Sequence, residues 1–245
     1  VITSLPDNVR PAYPGDATHS IVGHSQFSIF GYKTAGLFQT TDEATKAPTQ
    51  PGVLDGALKG AGRIRYVDVN GDGKIDANDQ TWLGTTLPKV EYGLRIELTY
   101  KNFDLSIFGS GVAGKTGYDP TKFFNTFVSA RSNFGPGTLS AWTPQNTGSS
   151  TPALSILNHN GEDRTSDYYY VNASYFKLRN VMLGYNLPKN IAGAMKMEGL
   201  RVYVSGQNLL AVKSKKFTSK DPERANTFDL WPVPTAVTFG INANF

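Results

Sequence analysis

The chain has 245 residues, 39% of them apolar, which is enough for one large β domain or two ordinary ones and excludes a disordered tail. Twenty-five Gly, 14 Pro, 12 Tyr and 14 Phe against 3 Met point to many strands joined by turns, an all-β class. The formal charge of +4 comes from scattered basic residues and gives no compositional support to a nucleic-acid partner; the absence of Cys excludes disulfides, thiolate zinc sites and cysteine nucleophiles. There is no run of eighteen apolar residues, so a membrane-crossing helix is excluded, although that test is blind to membrane strands. Val1 opens the sequence without an initiating Met or a signal peptide, as expected of a mature or partial product.

In chain order, the first distinctive stretch is DVNGDGKIDAND, residues 68–79. With Asp68 at position 1 of a calcium loop, Asn70 falls at 3, Asp72 at 5, Gly73 at 6, Lys74 at 7, Asp76 at 9 and Asp79 at 12. Lys74 would contribute its backbone carbonyl, Gly73 the sharp turn and Ile75 an apolar anchor. The shorter arm of Asp79, where Glu is usual, resembles dockerin loops. Clustered carboxylates repel one another without a cation, so calcium is expected to order this segment as structural support. The plain alternative is an Asp/Asn/Gly-rich turn that needs no metal.

Strands follow. In YGLRIELTY (92–100), Tyr92, Leu94, Ile96, Leu98 and Tyr100 share one face and Gly93, Arg95, Glu97 and Thr99 the other. Aromatic residues end the apolar stripe and aliphatic ones fill it, as in the wall of a membrane barrel, with Arg95 and Glu97 toward the lumen. Lys101 and Asn102 make a tight turn into a second strand at about 103–110. A polar segment, 111–174, separates it from strands at about 175–187, 199–209 and 235–245, with another long segment at 210–234. Short and long connections alternate, so every long segment, together with residues 1–90, is expected on the cell exterior. The division expected is therefore 1–90 as extracellular loop region and 91–245 as barrel strands with their loops. Five strands cannot close a bacterial barrel, which needs about eight or more.

Several weaker signals accompany these. GSGVAG places Gly109, Gly111 and Gly114 in a dinucleotide-turn spacing, but Gly117 and Pro120 leave no room for the helix that must follow, and a flexible loop start is expected instead. His19, His24 and His159 show no metal spacing, no nucleophile elbow is present, and no catalytic constellation emerges, so the chain is not read as an enzyme. Asn172 in NAS fits a glycosylation acceptor by composition only. Lys213, Lys215, Lys216 and Lys220 form the one basic cluster, either a solvated loop or a contact to anionic groups such as lipid phosphates. The aromatic residues of the outer segments, Phe27, Phe30, Tyr32, Phe38, Tyr118, Phe123, Phe124, Trp142, Tyr168, Tyr169, Tyr170 and Trp231, either pack as loop cores or stack on sugar rings.

Together, GYKTAGLFQTTDEA (31–44), GRIRYVDVNGDGKIDANDQTWLG (62–84), PKVEYGLRIELTYKNFDLSIFGSGVAG (88–114), SYFKLRNVMLGYNLP (174–188), LRVYVSGQNLL (200–210) and VTFGINANF (237–245) resemble the C-terminal portion of SusC/RagA-type TonB-dependent outer-membrane transporters over nearly the full chain. The resemblance implies the C-terminal strands of a large, 22-stranded transmembrane β-barrel with long extracellular loops, in a Gram-negative outer membrane. It further implies a plug and remaining strands upstream, energy from TonB, a SusD-like surface lipoprotein as lid, outer-membrane lipid around the wall, and an oligosaccharide or peptide substrate. The Asp-rich loop matches the family's extracellular segment at Asp68, Asn70, Gly71, Asp72, Gly73, Ile75 and Asp76, and Phe245 resembles its signal for barrel assembly. A secreted calcium-stabilised β module that binds glycan or protein is the alternative, and a hydrolase would need a nucleophile or carboxylate pair that the sequence does not reveal.

Overall fold

The computed structural model describes residues 23–25, 28–50, 60–126, 134–155, 161–225 and 233–245; His19, Phe27, His159 and Trp231 lie outside these. The first elements are short: β1 (Ser28–Gly31), β2 (Thr34–Leu37), α1 (Thr41–Lys46), β3 (Ile64–Tyr66) and β4 (Thr81–Thr85). β1 pairs with β4 and β2 with β3, both antiparallel. From Val90 the strands lengthen. β5 (Val90–Tyr100) and β6 (Phe103–Ala113) precede a short β7 (Thr116–Tyr118), α2 (Pro120–Thr126) and β8 (Tyr170–Asn172); β9 (Tyr175–Asn186), α3 (Lys189–Ala194), β10 (Gly199–Lys213) and β11 (Ala236–Asn244) complete the chain.

The long strands form one antiparallel sheet in the order β5-β6-β9-β10-β11. Its register assigns every side chain to a face. One face carries the rows Ile96–Ile107–Val181–Gly206–Val237, Leu98–Leu105–Leu183–Val204–Phe239 and Tyr100–Phe103–Tyr185–Val202–Ile241. The rows between them read Glu97–Ser106–Met182–Ser205–Thr238 and Thr99–Asp104–Gly184–Tyr203–Gly240 on the opposite face. Because strand side chains alternate, a one-residue slip would exchange the two faces, and the apolar pattern fixes the register against it.

Leu98 at 58%, Ile241 at 70% and Phe239 at 80% exposure leave the apolar face uncovered among the described residues. Rings gather at its two ends. Tyr92 stacks on Phe176 at one, and Phe103 packs against Tyr185 with centroids 4.6 Å apart at the other. With 11 residues each, β5 and β6 have the length of tilted membrane-crossing strands, about 9–11 residues.

Strand ends differ from the sequence expectation where local geometry breaks the alternation. β6 runs through Gly111 to Ala113 rather than opening into a loop. Gly109 and Gly111 are the floor under the rings of Phe176 and Tyr92, and an added Cβ would come within 2.4 Å of the Phe176 ring or 2.7 Å of the Tyr92 ring. Two of the three GSGVAG glycines, Gly109 and Gly111, therefore serve ring packing within a strand, while Gly114 follows it at a φ of 74°. β10 reaches Lys213 because its register shifts between Gln207 and Leu210, where Asn208 takes a positive φ of 52°. Arg179 of β9 lies opposite this bulge, and the register of β9 against β6 also shifts there, between Asn180 and Leu178.

Short connections and the C-terminus lie at one end of the sheet: the Lys101–Asn102 turn and the α3 link. The other end carries the long segments, which build their own core. Leu37, Ile64, Tyr66, Ile75 and Trp142 form one buried cluster; Val171, Ala173, Phe217 and Ala225 form a second. Phe30, Phe38 and Tyr169 are also buried, Tyr32 packs against the first cluster, and Trp142 donates its indole N–H to Gln39 Oε1 at 2.9 Å. These rings act as loop core.

Candidate functional site

Two features carry chemistry: the polar face of the sheet and the acidic loop. On the polar face, charged side chains are paired across strands. Arg201 on β10 holds Asp104 on β6, with Nε 3.0 Å from Oδ1, and Asn186 on β9 adds an amide N–H at 3.3 Å. Arg95 donates to Glu97 within β5. Nearer the loop end, the buried Lys177 pairs with Asp221 at 2.6 Å and Glu223 at 2.8 Å, and Arg179 grips both Glu223 oxygens at 2.8 and 3.0 Å. Two basic side chains facing inward from β9 thus draw the 222–224 turn over this face. The hydrogen bonds from Arg179, with Lys177 behind them, hold the Glu223 carboxyl down at about 2 against the opposing effect of burial. A charged, hydrogen-bonded face backed by an uncovered apolar one suits a wall between water and lipid.

The acidic loop is folded on itself. Asp68 accepts from Gly71 N at 2.7 Å and Gly73 N at 2.8 Å, Asn70 from Asp72 N at 3.0 Å, Asp72 from Lys74 N at 2.9 Å and Asp76 from Asn78 N at 2.8 Å. Gly71 and Gly73 have φ values of 77° and 81°, which only glycine adopts without strain. Asp79, fully buried, closes the loop: its two oxygens accept from Val69 N and Asp76 N, both at 2.8 Å. Ile75 sits in the first core cluster, and the Thr49–Lys74 bridge ties the loop to the segment after α1 through Thr49 N–Gly73 O and Ile75 N–Thr49 O. Among the described residues no three His, Cys, Asp or Glu side chains converge as a metal-holding group. The donor set is nonetheless all oxygen, and each carboxylate oxygen that accepts one backbone N–H retains a second lone pair, so the chemistry fits a hard cation.

The other candidates fall into place around these. His24 stacks on Trp82, centroids 5.1 Å apart. Asn172 belongs to β8 and accepts from Ser174 N at 2.8 Å, a turn-forming contact. Phe245 follows β11 at the end of the apolar stripe, 83% exposed. The basic cluster is divided: Lys213 is part of β10 and donates to the Ser219 carbonyl, whereas Lys215 and Lys216 lie beyond the strand. What sequence reasoning missed is pairing over distance. Arg63 and Glu162 form a buried ion pair at 3.0 Å although 99 positions apart, and no local pattern announces it.

No family model matches the chain. Among curated proteins, it is 29% identical over 237 residues to TonB-dependent receptor P3 of Formosa agariphila, covering 91% of this chain and 22% of that protein. To TonB-dependent receptor SusC of Bacteroides thetaiotaomicron it is 32% identical over 185 residues, 74% of this chain and 17% of that protein. The chain spans about a fifth of the length of these relatives. Among solved structures, the RagAB peptide importer in its open-open state superposes with a TM-score of 0.69 at 22% identity, over 99% of this chain and 25% of that one. The RagAB peptide transporter gives 0.64 at 23% identity, over 89% and 23%.

Proposed function

Since the chain belongs to the SusC/RagA-type TonB-dependent transporters, as a portion of one, we propose that it forms part of the barrel wall and external loops of an importer in a Gram-negative outer membrane. The observation that carries this reading is the two-faced sheet: apolar rows bounded by rings on one side, paired charges on the other. A freely dissolved module would leave this contiguous apolar face in water, with Leu98, Phe239 and Ile241 all more than half exposed, which soluble monomers rarely do outside an interaction site.

In this reading the remaining strands and the plug lie in parts of the transporter outside this chain, and TonB acts through them. A SusD-like surface lipoprotein closes over the external loops, the cargo is an oligosaccharide or a peptide, and passage follows the polar face. Phe245 and the apolar alternation before it address the wall to the assembly machinery. Deleting the full transporter from its host is expected to abolish uptake of its cargo, and collapse of the proton-motive force to stop uptake without stopping surface binding. Undiminished uptake in either case would contradict the importer reading.

The acidic loop is, on this proposal, a calcium site, with Asp68, Asn70, Asp72, Asp76 and Asp79 offering side-chain oxygens and Lys74 its carbonyl. The ion would neutralise crowded carboxylates and so stiffen a segment already anchored by Ile75. Asp72→Ala is expected to remove calcium-dependent protection of residues 60–85 from protease while heat-modifiable gel migration of the barrel stays as in the parent. Equal protection with and without calcium in the parent protein would argue that the loop is a metal-free turn.

A further inference from the structure

The divided basic cluster has a structural consequence at the loop end of the sheet. Lys215 and Lys216 line a cavity of about 630 Å³ together with Lys122 of α2, Tyr168, and a set of hydroxyl side chains that includes Thr121, Thr138, Ser150, Thr151 and Thr218. The lysines come from segments more than ninety positions apart, and a single buried carboxylate brings them together. Asp119, immediately before α2 and fully buried, accepts from Thr218 Oγ1 at 2.8 Å and Ser219 N at 3.1 Å, and from Thr218 N and the Ser219 hydroxyl as well. The loop after β10 is thereby clamped against the first turn of α2.

The charges in the cavity do not balance. Lys122 donates one N–H to the Tyr168 carbonyl at 2.8 Å, leaving two for a guest. Burial pulls its ammonium below the usual lysine value, and Lys216 pulls the same way, against Asp119 and Asp167. Asp119 is occupied by its four donors, and Asp167 accepts from Thr34 N at 2.9 Å and from the Thr34 hydroxyl. Among the described residues none of the three lysines has a carboxylate within ion-pair distance. Such a group of ammonium ions, half-buried at Lys122 and exposed at Lys215 and Lys216, is stabilised by an anion that enters between them.

We propose that this cavity is a subsite for an acidic oligosaccharide, whose carboxylate or sulfate ester is taken by Lys122, Lys215 and Lys216 and whose ring hydroxyls exchange hydrogen bonds with the threonine and serine hydroxyls. The volume lies within the roughly 300–1,000 Å³ of small-ligand pockets. Hydroxyl side chains can both donate and accept, as sugar hydroxyls require; those of Thr138 and Thr218 already donate, to the Gly135 carbonyl and to Asp119, and are left as acceptors, and three ammonium groups against the one lining carboxylate, Asp167, favour an anionic sugar. The inference rests on the importer reading and narrows its cargo.

The test is calorimetric titration of the full-length transporter, with its partner lipoprotein, using trigalacturonate, a sulfated neutral trisaccharide, maltotriose and triglutamate. At least one of the two anionic sugars is expected to bind more tightly than maltotriose, and the one that does so identifies the anion. The double variant K215Q/K216Q, at exposed positions that the fold does not depend on, is expected to weaken that binding about tenfold or more and leave maltotriose unaffected. K122Q should do the same from the other wall. No binding of either anionic sugar, indifference of that binding to both variants, or tighter binding of triglutamate would each overturn the subsite. If proton-motive-force-dependent uptake fails while lysine-dependent sugar binding persists, the importer reading falls and the subsite stands; if uptake persists and binding ignores the lysines, the subsite falls and the importer reading stands.

Discussion

Ile107→Arg is expected to impair assembly of the barrel, whereas Ser106→Arg, one residue away, is tolerated. Ile107 lies in the central apolar row with Ile96 and Val181, midway between the ring clusters, where a charged side chain facing lipid costs about 2–4 kcal/mol. Ser106 faces the other way, opposite Glu97 and Met182, where water and a carboxylate receive a guanidinium. The readout is the fraction of envelope protein showing heat-modifiable migration. Equal tolerance of both arginines would mean that the apolar face does not meet lipid.

The second large effect belongs to the loop core. Glu162→Ala is expected to destabilise it by about 3–5 kcal/mol, the consequence of leaving one member of a buried ion pair alone. Arg63 would keep the Ala153 carbonyl and lose its carboxylate, while Ile64 N, which donates to Glu162 Oε1 at 2.8 Å, would lose that acceptor. Burial pushes the Glu162 carboxyl up to about 7, with Arg63 and the Ile64 amide pulling back, so the pair is held by geometry at a desolvation cost. The measurement is protease protection of the segments around Arg63 and Glu162 with the barrel still heat-modifiable. Arg63→Met combined with Glu162→Leu should recover most of the loss, since it removes both charges; failure to recover would assign the effect to backbone disruption instead.

Sequence alone made the wall legible because its information is local. Alternation over Tyr92–Tyr100 states the two faces of β5 without any knowledge of a partner strand. The same signal misplaced the ends of β6 and β10. At Gly109 and Gly111 the side chain is missing because neighbouring rings occupy its space, and at Asn208 the bulge inserts residues that break period two. The glycine turns of the acidic loop and its Ile75 anchor were legible for the same reason as β5, being contiguous between Asp68 and Asp79. The lysine cavity and the Arg63–Glu162 pair were not. Both join segments about a hundred positions apart, and in the cavity the joining residue is Asp119, an aspartate that looks in the sequence like any other turn residue.

Which side of the long sheet meets lipid decides whether these strands are a transporter wall. The direct measurement is a spin label attached to single cysteines introduced at successive positions from Leu94 to Thr99 of the full transporter in bilayers, read for collision with oxygen and with a water-soluble nickel chelate. Positions 94, 96 and 98 should favour oxygen and positions 95, 97 and 99 the chelate, in strict alternation. Equal access of the chelate to both sets would show water on both sides of β5 and contradict the wall.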